Sequence, residues 1–326
     1  MMTWRASCSQ SNLKARSALY TLIRAFFLAR DVLEVETPLL SVSTATDPQL
    51  ESIQAQVKIH LGLEALPYYL QTSPEFPMKR LLASGSGAIY QICKTFRNGE
   101  TGRKHNPEFT MLEWYRPGFE LEDLMQELEL LTTEILGATL ATTVAERLSY
   151  RDAFLHYVNI DPFHISDDEL ASRAQALTAY YGPEMSRDDY LNLILSICIE
   201  PKLGLDCPCF LYEYPPSQAS LAQVGLSLQG DLIAQRFELY IHGMELANGY
   251  FELTDSDEQA KRFAQDNRER SQIGLPTIPS DEHLIAAMKH GLPPCSGVAV
   301  GLDRILMLKV GASSIEEVLS FPITQA

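Results

Sequence analysis

The sequence predicts an α+β fold in which a mainly antiparallel sheet is flanked by helices. Apolar, β-favouring runs come in neighbouring pairs, within 89–114 and within 236–253, where the two runs meet at Gly243. Helical patterns do not alternate regularly with these runs, as they would in a parallel sheet built from βαβ units. The chain has 326 residues, of which 46% are hydrophobic, so it can bury a sizeable core.

The spacing of apolar residues predicts the individual elements. A helix over 12–30 follows from apolar residues at helical intervals, namely Leu19, Leu22, Ile23, Phe26 and Phe27. Further helices are expected at 74–84, 121–136, 256–271 and 280–290. Strands are expected at 32–36, twice within 49–70, twice within 89–114, at 209–214 and twice within 236–253.

The segment at about 145–205 has a different character. Ser149, Ser166 and Ser186 are each followed within three positions by acidic residues, which is typical of a helix N-cap. We therefore expect about three short helices, packed together as an insertion.

Composition limits the classes of function. The formal charge of −16 disfavours non-specific binding to nucleic acid, although a local basic patch remains compatible with it. No apolar run approaches the roughly 18 residues needed to span a bilayer, and the N-terminus has no signal-peptide core, so a cytoplasmic protein is expected. The six cysteines are scattered, and the C-x-C of Cys207 and Cys209 lacks zinc-knuckle spacing, which predicts buried free thiols.

A long polar loop joins the two strands of 89–114. Arg97 ends the first strand, and Phe109 begins the second. An arginine can hold phosphate and carboxylate oxygens together through its fork of donors, and a phenyl ring can stack on adenine. A hairpin with a solvated tip is the alternative that the pattern alone leaves open.

Three segments resemble the motifs of class II aminoacyl-tRNA synthetases. FRNGETGRKHNPEF, with TSPE before it and FTMLEWY after it, is similar to motif 2 of the lysyl enzymes. SGVAVGLDRILML resembles motif 3, and LIRAFFLARDVLEVETPLL, which contains Pro38, resembles motif 1. The resemblance implies one catalytic domain over 1–326 with the class II core fold, and a homodimer built through motif 1.

The resemblance also implies sites for ATP and Mg²⁺. Arg97 and Arg304 would be catalytic, because they would lie against the triphosphate. The implied ATP-binding residues are Arg97, Asn98, Gly99, Glu100, His105, Asn106, Phe109, Glu245, Leu246, Gly301 and Arg304. Glu238 and Glu245 would bind Mg²⁺ through hard carboxylate oxygens, whereas their spacing alone favours a pair of solvated strand glutamates.

A pocket for a diamino acid is implied in the same way, because a buried ammonium group needs carboxylate partners. Glu252 and Tyr115 would hold the side-chain ammonium, Glu75 with Ser73 the other amino group, and Glu113 would brace the pocket. The implied substrate-binding residues are Ser73, Pro74, Glu75, Glu113, Tyr115, Asn248, Glu252 and Ala299.

The expected acceptor of the activated amino acid follows from a difference between this chain and the lysyl-tRNA synthetases. Motif 1 begins within the first 40 residues, which leaves no space for the anticodon-binding domain that lysyl-tRNA synthetases carry. The sequence resembles the branch of the family that attaches (R)-β-lysine to a lysine of elongation factor P, so tRNA is not the expected acceptor and no membrane is involved. A free-standing enzyme that acylates tRNA or a small amine, and a non-catalytic regulatory paralogue, remain as alternatives.

Two positions differ from the lysyl enzymes. Those enzymes have Glu directly after FRN, where this chain has Gly99 followed by Glu100. They also have Gly where this chain has Ala299, whose methyl group would crowd an α-amino group. We therefore expect Ala299 to favour β-lysine over α-lysine.

Overall fold

The computed structural model describes residues 4–137, 139–140, 142 and 144–326. In chain order, the α-helices are α1 (Gln10–Leu28), α2 (Glu75–Ala83), α3 (Leu121–Leu136), α4 (Tyr150–Val158), α5 (Asp167–Thr178), α6 (Arg187–Ile194), α7 (Ser256–Gln272), α8 (Glu282–Gly291) and α9 (Leu302–Val310). The strands are β1 (Leu33–Glu34), β2 (Leu40–Ser41), β3 (Gln54–Val57), β4 (Leu66–Leu70), β5 (Ile89–Phe96), β6 (Glu108–Pro117), β7 (Glu146–Ser149), β8 (Cys209–Tyr214), β9 (Val224–Leu226), β10 (Leu232–Ile241), β11 (Met244–Phe251) and β12 (Cys295–Gly301).

The chain divides into two compact units, one formed by 1–119 with 253–326 and the other by 120–252. In the first unit, β6 lies between β5 and β12 and is antiparallel to both, while β1 pairs in parallel with β5. A second, antiparallel sheet has the order β2-β4-β3. Helix α1 buries the apolar face that its spacing predicts, and Phe27 stacks on Tyr90 with ring centroids 4.4 Å apart.

In the second unit, β10 pairs antiparallel with β8, β9 and β11, and β7 pairs in parallel with β8. Its core contains aromatic and aliphatic side chains from α4, α6, β8 and β10, among them Tyr150, Phe154 and Tyr214. Ser149, Ser166 and Ser186 cap α4, α5 and α6, each by accepting a hydrogen bond from the backbone N–H three residues later. These are the three helices expected within 145–205.

The α+β class and the antiparallel character are confirmed, and the two parallel pairs are additions that the sequence pattern did not indicate. Each involves a strand of only two to four residues, β1 or β7, which is too short to produce a distinct pattern. A single catalytic domain with an insertion stays a prediction. The six cysteines are free thiols, as expected, but only Cys8, Cys209 and Cys295 are fully buried, and the other three are partly buried. No helix in the described ranges is long and apolar enough to cross a bilayer.

Candidate active site

The β5–β6 hairpin brings Arg97 and Phe109 together. Thr95 and Phe109 are cross-strand partners, and the Arg97 N–H donates to the Pro107 carbonyl over 2.9 Å, so the arginine lies at the mouth of the loop. Its guanidinium carbon is 5.2 Å from the centroid of the Phe109 ring. The Nε of Arg97 is buried and has no hydrogen-bond partner among the described residues. Arg97 therefore has an N–H that can donate to a phosphate, and the partly exposed Phe109 ring beside it can stack on a flat base.

The loop after Arg97 is fixed by Glu51. The backbone N–H of Asn98 donates to the Glu51 carbonyl, and its Nδ2 donates to the Glu51 carboxylate, both over 2.7 Å. Gly99 then takes a φ of +75°, in the left-handed region that favours glycine, and Glu100 lies 3.9 Å from Arg97. The structure thus places Asn98 as an anchor of the loop, with its side-chain amide directed to Glu51.

Helix α9 brings Arg304 to the same loop. Its Nη2 is 2.6 Å from the Nε2 of His105, and its Nε donates to the Lys104 carbonyl over 3.4 Å. Partial burial and the Arg304 charge lower the pKa of His105, so the imidazole is neutral and Nε2 accepts from the guanidinium. The two arginines expected to be catalytic therefore both contact the loop between β5 and β6.

Asn106 and Gly301 also lie around this loop. Asn106 is buried, and its amide donates to the Glu108 carbonyl over 2.6 Å and accepts from Ile323 N–H over 3.0 Å, so it links the loop to the C-terminal segment. Gly301 ends β12 and stands at the N-cap of α9. Contacts of either residue with ATP stay predictions.

The expected amino-acid pocket contains a buried carboxyl cluster on β6 and α2. Glu113, 2% exposed, accepts hydrogen bonds from the Tyr115 hydroxyl over 2.6 Å and from the Ser73 hydroxyl over 2.8 Å. Ser73 also accepts from the backbone N–H of Glu75, which follows Pro74 at the start of α2. Glu75 in turn receives the ammonium of Lys79 over 2.5 Å.

Burial, and then the Glu75 carboxylate, raise the pKa of Glu113 to about 8, against the lowering effects of Tyr115, Ser73 and Lys79. Glu113 is therefore predominantly protonated at neutral pH when no ligand is bound. A cation placed here would favour its ionised form, which is the behaviour of a site for an ammonium group.

Ala299 faces this cluster from β12. It is the cross-strand partner of Glu113, while Gly297 opposes Tyr115 and Gly301 opposes Met111. Because alternate residues of a strand share a face, Gly297, Ala299 and Gly301 lie on the same face of β12. Of these three residues, only Ala299 has a side chain, which is a methyl group. The geometry suits the predicted role of Ala299 beside an amino group.

In the second unit, Glu238 lies in a network of hydroxyls and an arginine. Its Oε2 accepts from the hydroxyls of Tyr214 and Tyr240, each over 2.6 Å, and its Oε1 accepts from the Nη2 of Arg236 over 2.5 Å. Burial and the Glu238 charge raise the pKa of both tyrosines well above the ordinary value, so both remain donors. A carboxylate offers about four lone pairs, and these contacts use three. Among the described residues, these contacts leave one lone pair on Oε1 for a metal ion.

The β10–β11 ribbon places Glu245 and Asn248 on the face of Glu238. Asn248 is the cross-strand partner of Glu238, and Glu245 is the partner of Tyr240. The Oδ1 of Asn248 is buried without a hydrogen-bond partner among the described residues, so an oxygen donor is available here. Two carboxylates and an amide oxygen fit Mg²⁺, which takes one or two protein carboxylates and completes its shell with phosphates and water.

The described residues contain no group of three or more His, Cys, Asp or Glu placed to hold a metal ion by themselves. Leu246 and Glu252 are 2% and 1% exposed, so any contact of Leu246 with a nucleotide would use its backbone. That Glu252 and Tyr115 together bind the side-chain ammonium of the substrate stays a prediction.

Sequence reasoning missed several residues of these networks. The contact of Lys79 could have been predicted, since Lys79 stands four residues after Glu75 on an otherwise apolar helix face. The contact of Arg236 could also have been predicted, because Arg236 is two residues before Glu238 in a strand and shares its face. No local pattern indicates the contact of Arg16. Its Nη2 contacts Asp303, beside Arg304, over 2.5 Å across 287 positions of sequence.

Residues 1–325 match the family of class II tRNA synthetases of the D, K and N group. The chain therefore belongs to the class II tRNA synthetase family.

Closer relatives carry one particular name. The chain is 48% identical over 326 residues to the elongation factor P–(R)-β-lysine ligase of Yersinia enterocolitica, with 99% of this chain and 98% of the relative covered. It is 47% identical over 325 residues to the proteins of the same name from Hamiltonella defensa and Photorhabdus laumondii, with the same shares covered.

Proposed function

We propose that this protein is an ATP-dependent ligase that activates (R)-β-lysine and transfers it to a lysine side chain of elongation factor P. The similarity to ligases of that name extends over 99% of the chain and 98% of the relative. Because elongation factor P is a translation factor, we expect the reaction to take place in the cytoplasm.

One observation carries the proposal, namely that a single face of β6 offers both halves of an adenylation site. Phe109, Met111, Glu113 and Tyr115 alternate along one face. Phe109 with Arg97 suits a nucleotide, and Glu113 with Tyr115 suits an ammonium group. Four residues of strand separate the two by about 13 Å, which leaves room for an extended diamino acid whose carboxylate points to the phosphate.

The first step joins the amino-acid carboxylate to the α-phosphorus of ATP. The bond to the β-phosphate oxygen breaks, and pyrophosphate leaves. Arg97 and Arg304 hold the phosphates and neutralise the charge that develops on their oxygens, while Phe109 orients the base. Glu238, Glu245 and Asn248 would hold Mg²⁺, which would supply further neutralisation of phosphate charge.

In the second step, the neutral amine of the acceptor lysine attacks the acyl carbon, the bond to the phosphate oxygen breaks, and AMP leaves. The amine loses a proton as the amide forms. No protein nucleophile is needed in either step, because positioning and charge neutralisation lower the barrier.

The proposal includes a homodimer. Exposed apolar side chains lie within motif 1 and just after it, namely Leu28, Leu33, Leu39, Leu40 and Val42. A second copy of the chain would cover such residues through an isologous interface.

Exchange of labelled pyrophosphate into ATP tests the activation step. We expect the purified protein to catalyse it with Mg²⁺ and (R)-β-lysine, and Arg97→Ala to lose at least about two orders of magnitude, the scale for one preorganised charge donor. Arg268→Ala, which removes an exposed arginine that contacts Gln265 on α7, is the matched control and should be unaffected. Wild-type protein that exchanges with no lysine isomer would contradict the proposal.

A further inference from the structure

Lys79 is a buried lysine that the activation chemistry does not use. Its side chain is 1% exposed, and its Nζ lies 2.5 Å from Glu75, one turn earlier on α2. Lysine is almost never fully buried unless it is paired, because the ammonium group loses its hydration. The protein therefore keeps an ammonium of its own inside the pocket expected to receive the amino groups of the substrate.

The role of Lys79 depends on the charged and titratable groups around Glu113. Glu75 and Lys79 face Glu113 from α2, Tyr115 lies two residues along β6, and Cys93 faces it from β5. Burial raises the pKa of Cys93 to about 12, and Tyr115 donates to Glu113 as a neutral phenol, so neither carries charge at neutral pH. From β12, the cross-strand partner is Ala299, which is uncharged. Among the described residues of this cluster, two carboxyl groups, Glu75 and Glu113, lie beside one cation, Lys79.

We infer that Lys79 is a positioning residue that neutralises Glu75, so that Glu113 is left to hold either a proton or a substrate ammonium. When a diamino acid enters, its ammonium takes the place of the proton on Glu113, and that proton passes to solvent. The net charge of the cluster is zero before and after, because one ammonium, one carboxylate and a neutral acid become two ammonium groups and two carboxylates while one proton leaves. This inference rests on the proposed function, since it assigns an amine to the pocket.

The orientation of Glu75 follows from the same contact. Its backbone N–H is held by the Ser73 hydroxyl, and one oxygen is held by Lys79, so the second oxygen has a fixed direction. Without Lys79, the two acids would share a proton through mutual repulsion, as paired carboxylates do. A substrate ammonium could then enter the space of the missing lysine, and the pocket would keep its proton.

Calorimetric titration tests this inference. The protein is titrated with (R)-β-lysine at pH 7 in buffers that differ in ionisation enthalpy, which counts the protons released. We expect release of about one proton per site by the wild type, and of less than about half as many by Lys79→Met. Lys79→Arg keeps the charge and should release protons like the wild type. Glu113→Gln should release none, which identifies the source of the proton.

A matched control is Lys261→Met, which removes an exposed lysine 3.8 Å from Glu258 on α7 and should leave the proton count unchanged. In pyrophosphate exchange, Lys79→Met should lower kcat more than it changes KM, because the amine binds out of position, and the pH profile of KM should flatten.

Two results would overturn the inference: wild-type protein that binds (R)-β-lysine without proton release, or Lys79→Met that releases as many protons as the wild type. The first needs no variant, so it decides the matter even if Lys79→Met does not fold. Failure of the proposed function gives a different result, the absence of binding heat and of pyrophosphate exchange with every lysine isomer.

Discussion

At the scale of single residues, the candidate site depends on small groups in fixed positions. Ala299 differs from the glycine of the lysyl enzymes by one methyl group, yet it lies directly across the sheet from Glu113. Glu113 differs from an ordinary glutamate only by its surroundings, which keep it protonated at neutral pH. Both features give measurable consequences.

Ala299→Gly should widen the space beside the amino group of the bound substrate. We expect the ratio of kcat/KM for α-lysine to that for (R)-β-lysine to rise by about ten-fold, the scale for one methyl group in a pocket. The ratio is its own control, because a general loss of stability affects both substrates alike. An unchanged ratio would mean that Ala299 only packs the sheet.

Glu113 should make the stability of the ligand-free protein depend on pH. Its pKa is about 8 when folded and about 4.3 when unfolded, so the folded state binds more protons between these values. By linkage, this contribution is complete at about pH 4 and is lost as pH rises through about 8. Urea unfolding from pH 5.5 to 8.5 should show a smaller decline for Glu113→Gln than for the wild type. Equal declines would show that Glu113 ionises normally.

At the scale of elements, Asp303 links three parts of the first unit. Its Oδ2 accepts from the Thr110 N–H on β6 over 2.6 Å, and its Oδ1 accepts from Arg16 on α1. Asp303 is 2% exposed and stands beside Arg304 on α9. These contacts fix the helix that carries Arg304 against the strand that carries Phe109.

Arg16→Met should therefore be costly, because it leaves the Asp303 carboxylate buried without its cation. We expect a loss of about 3–5 kcal/mol in the free energy of unfolding, measured with urea. Arg24→Met on the same helix is the control, since Arg24 and Glu34 are about half exposed, and such surface pairs contribute roughly 0–1 kcal/mol. Similar losses in both variants would contradict the role of Asp303.

The sequence predicted elements well where the signal was local. Leu121–Leu136 has the expected bounds, and Ser149, Ser166 and Ser186 cap their helices, because spacing and capping act within a few residues. The parallel pairing of β1 with β5 and the contact of Arg16 with Asp303 join distant segments, so no local pattern reports them. Motifs indicated the site residues, whereas the protonated state of Glu113 depends on burial that only the folded chain provides.

At the scale of the whole molecule, two chains are expected to act together. Sedimentation of the wild type at micromolar concentration should give twice the chain mass of 36.5 kDa. Leu33→Lys, which places a charge at a side chain 57% exposed in one chain, should shift the equilibrium toward monomers while the helical circular dichroism persists. A wild-type protein that sediments as a monomer would contradict the dimer.

Competition between two acceptors tests whether elongation factor P, and not tRNA, receives the activated amino acid, as we propose. Both acceptors are offered in one reaction with labelled (R)-β-lysine, ATP and Mg²⁺, and the label in each is followed with time, with Arg97→Ala as the blank. We predict that the label enters elongation factor P faster than tRNA, in amide linkage to a lysine side chain. Faster acylation of tRNA would contradict this proposal and make the protein a synthetase.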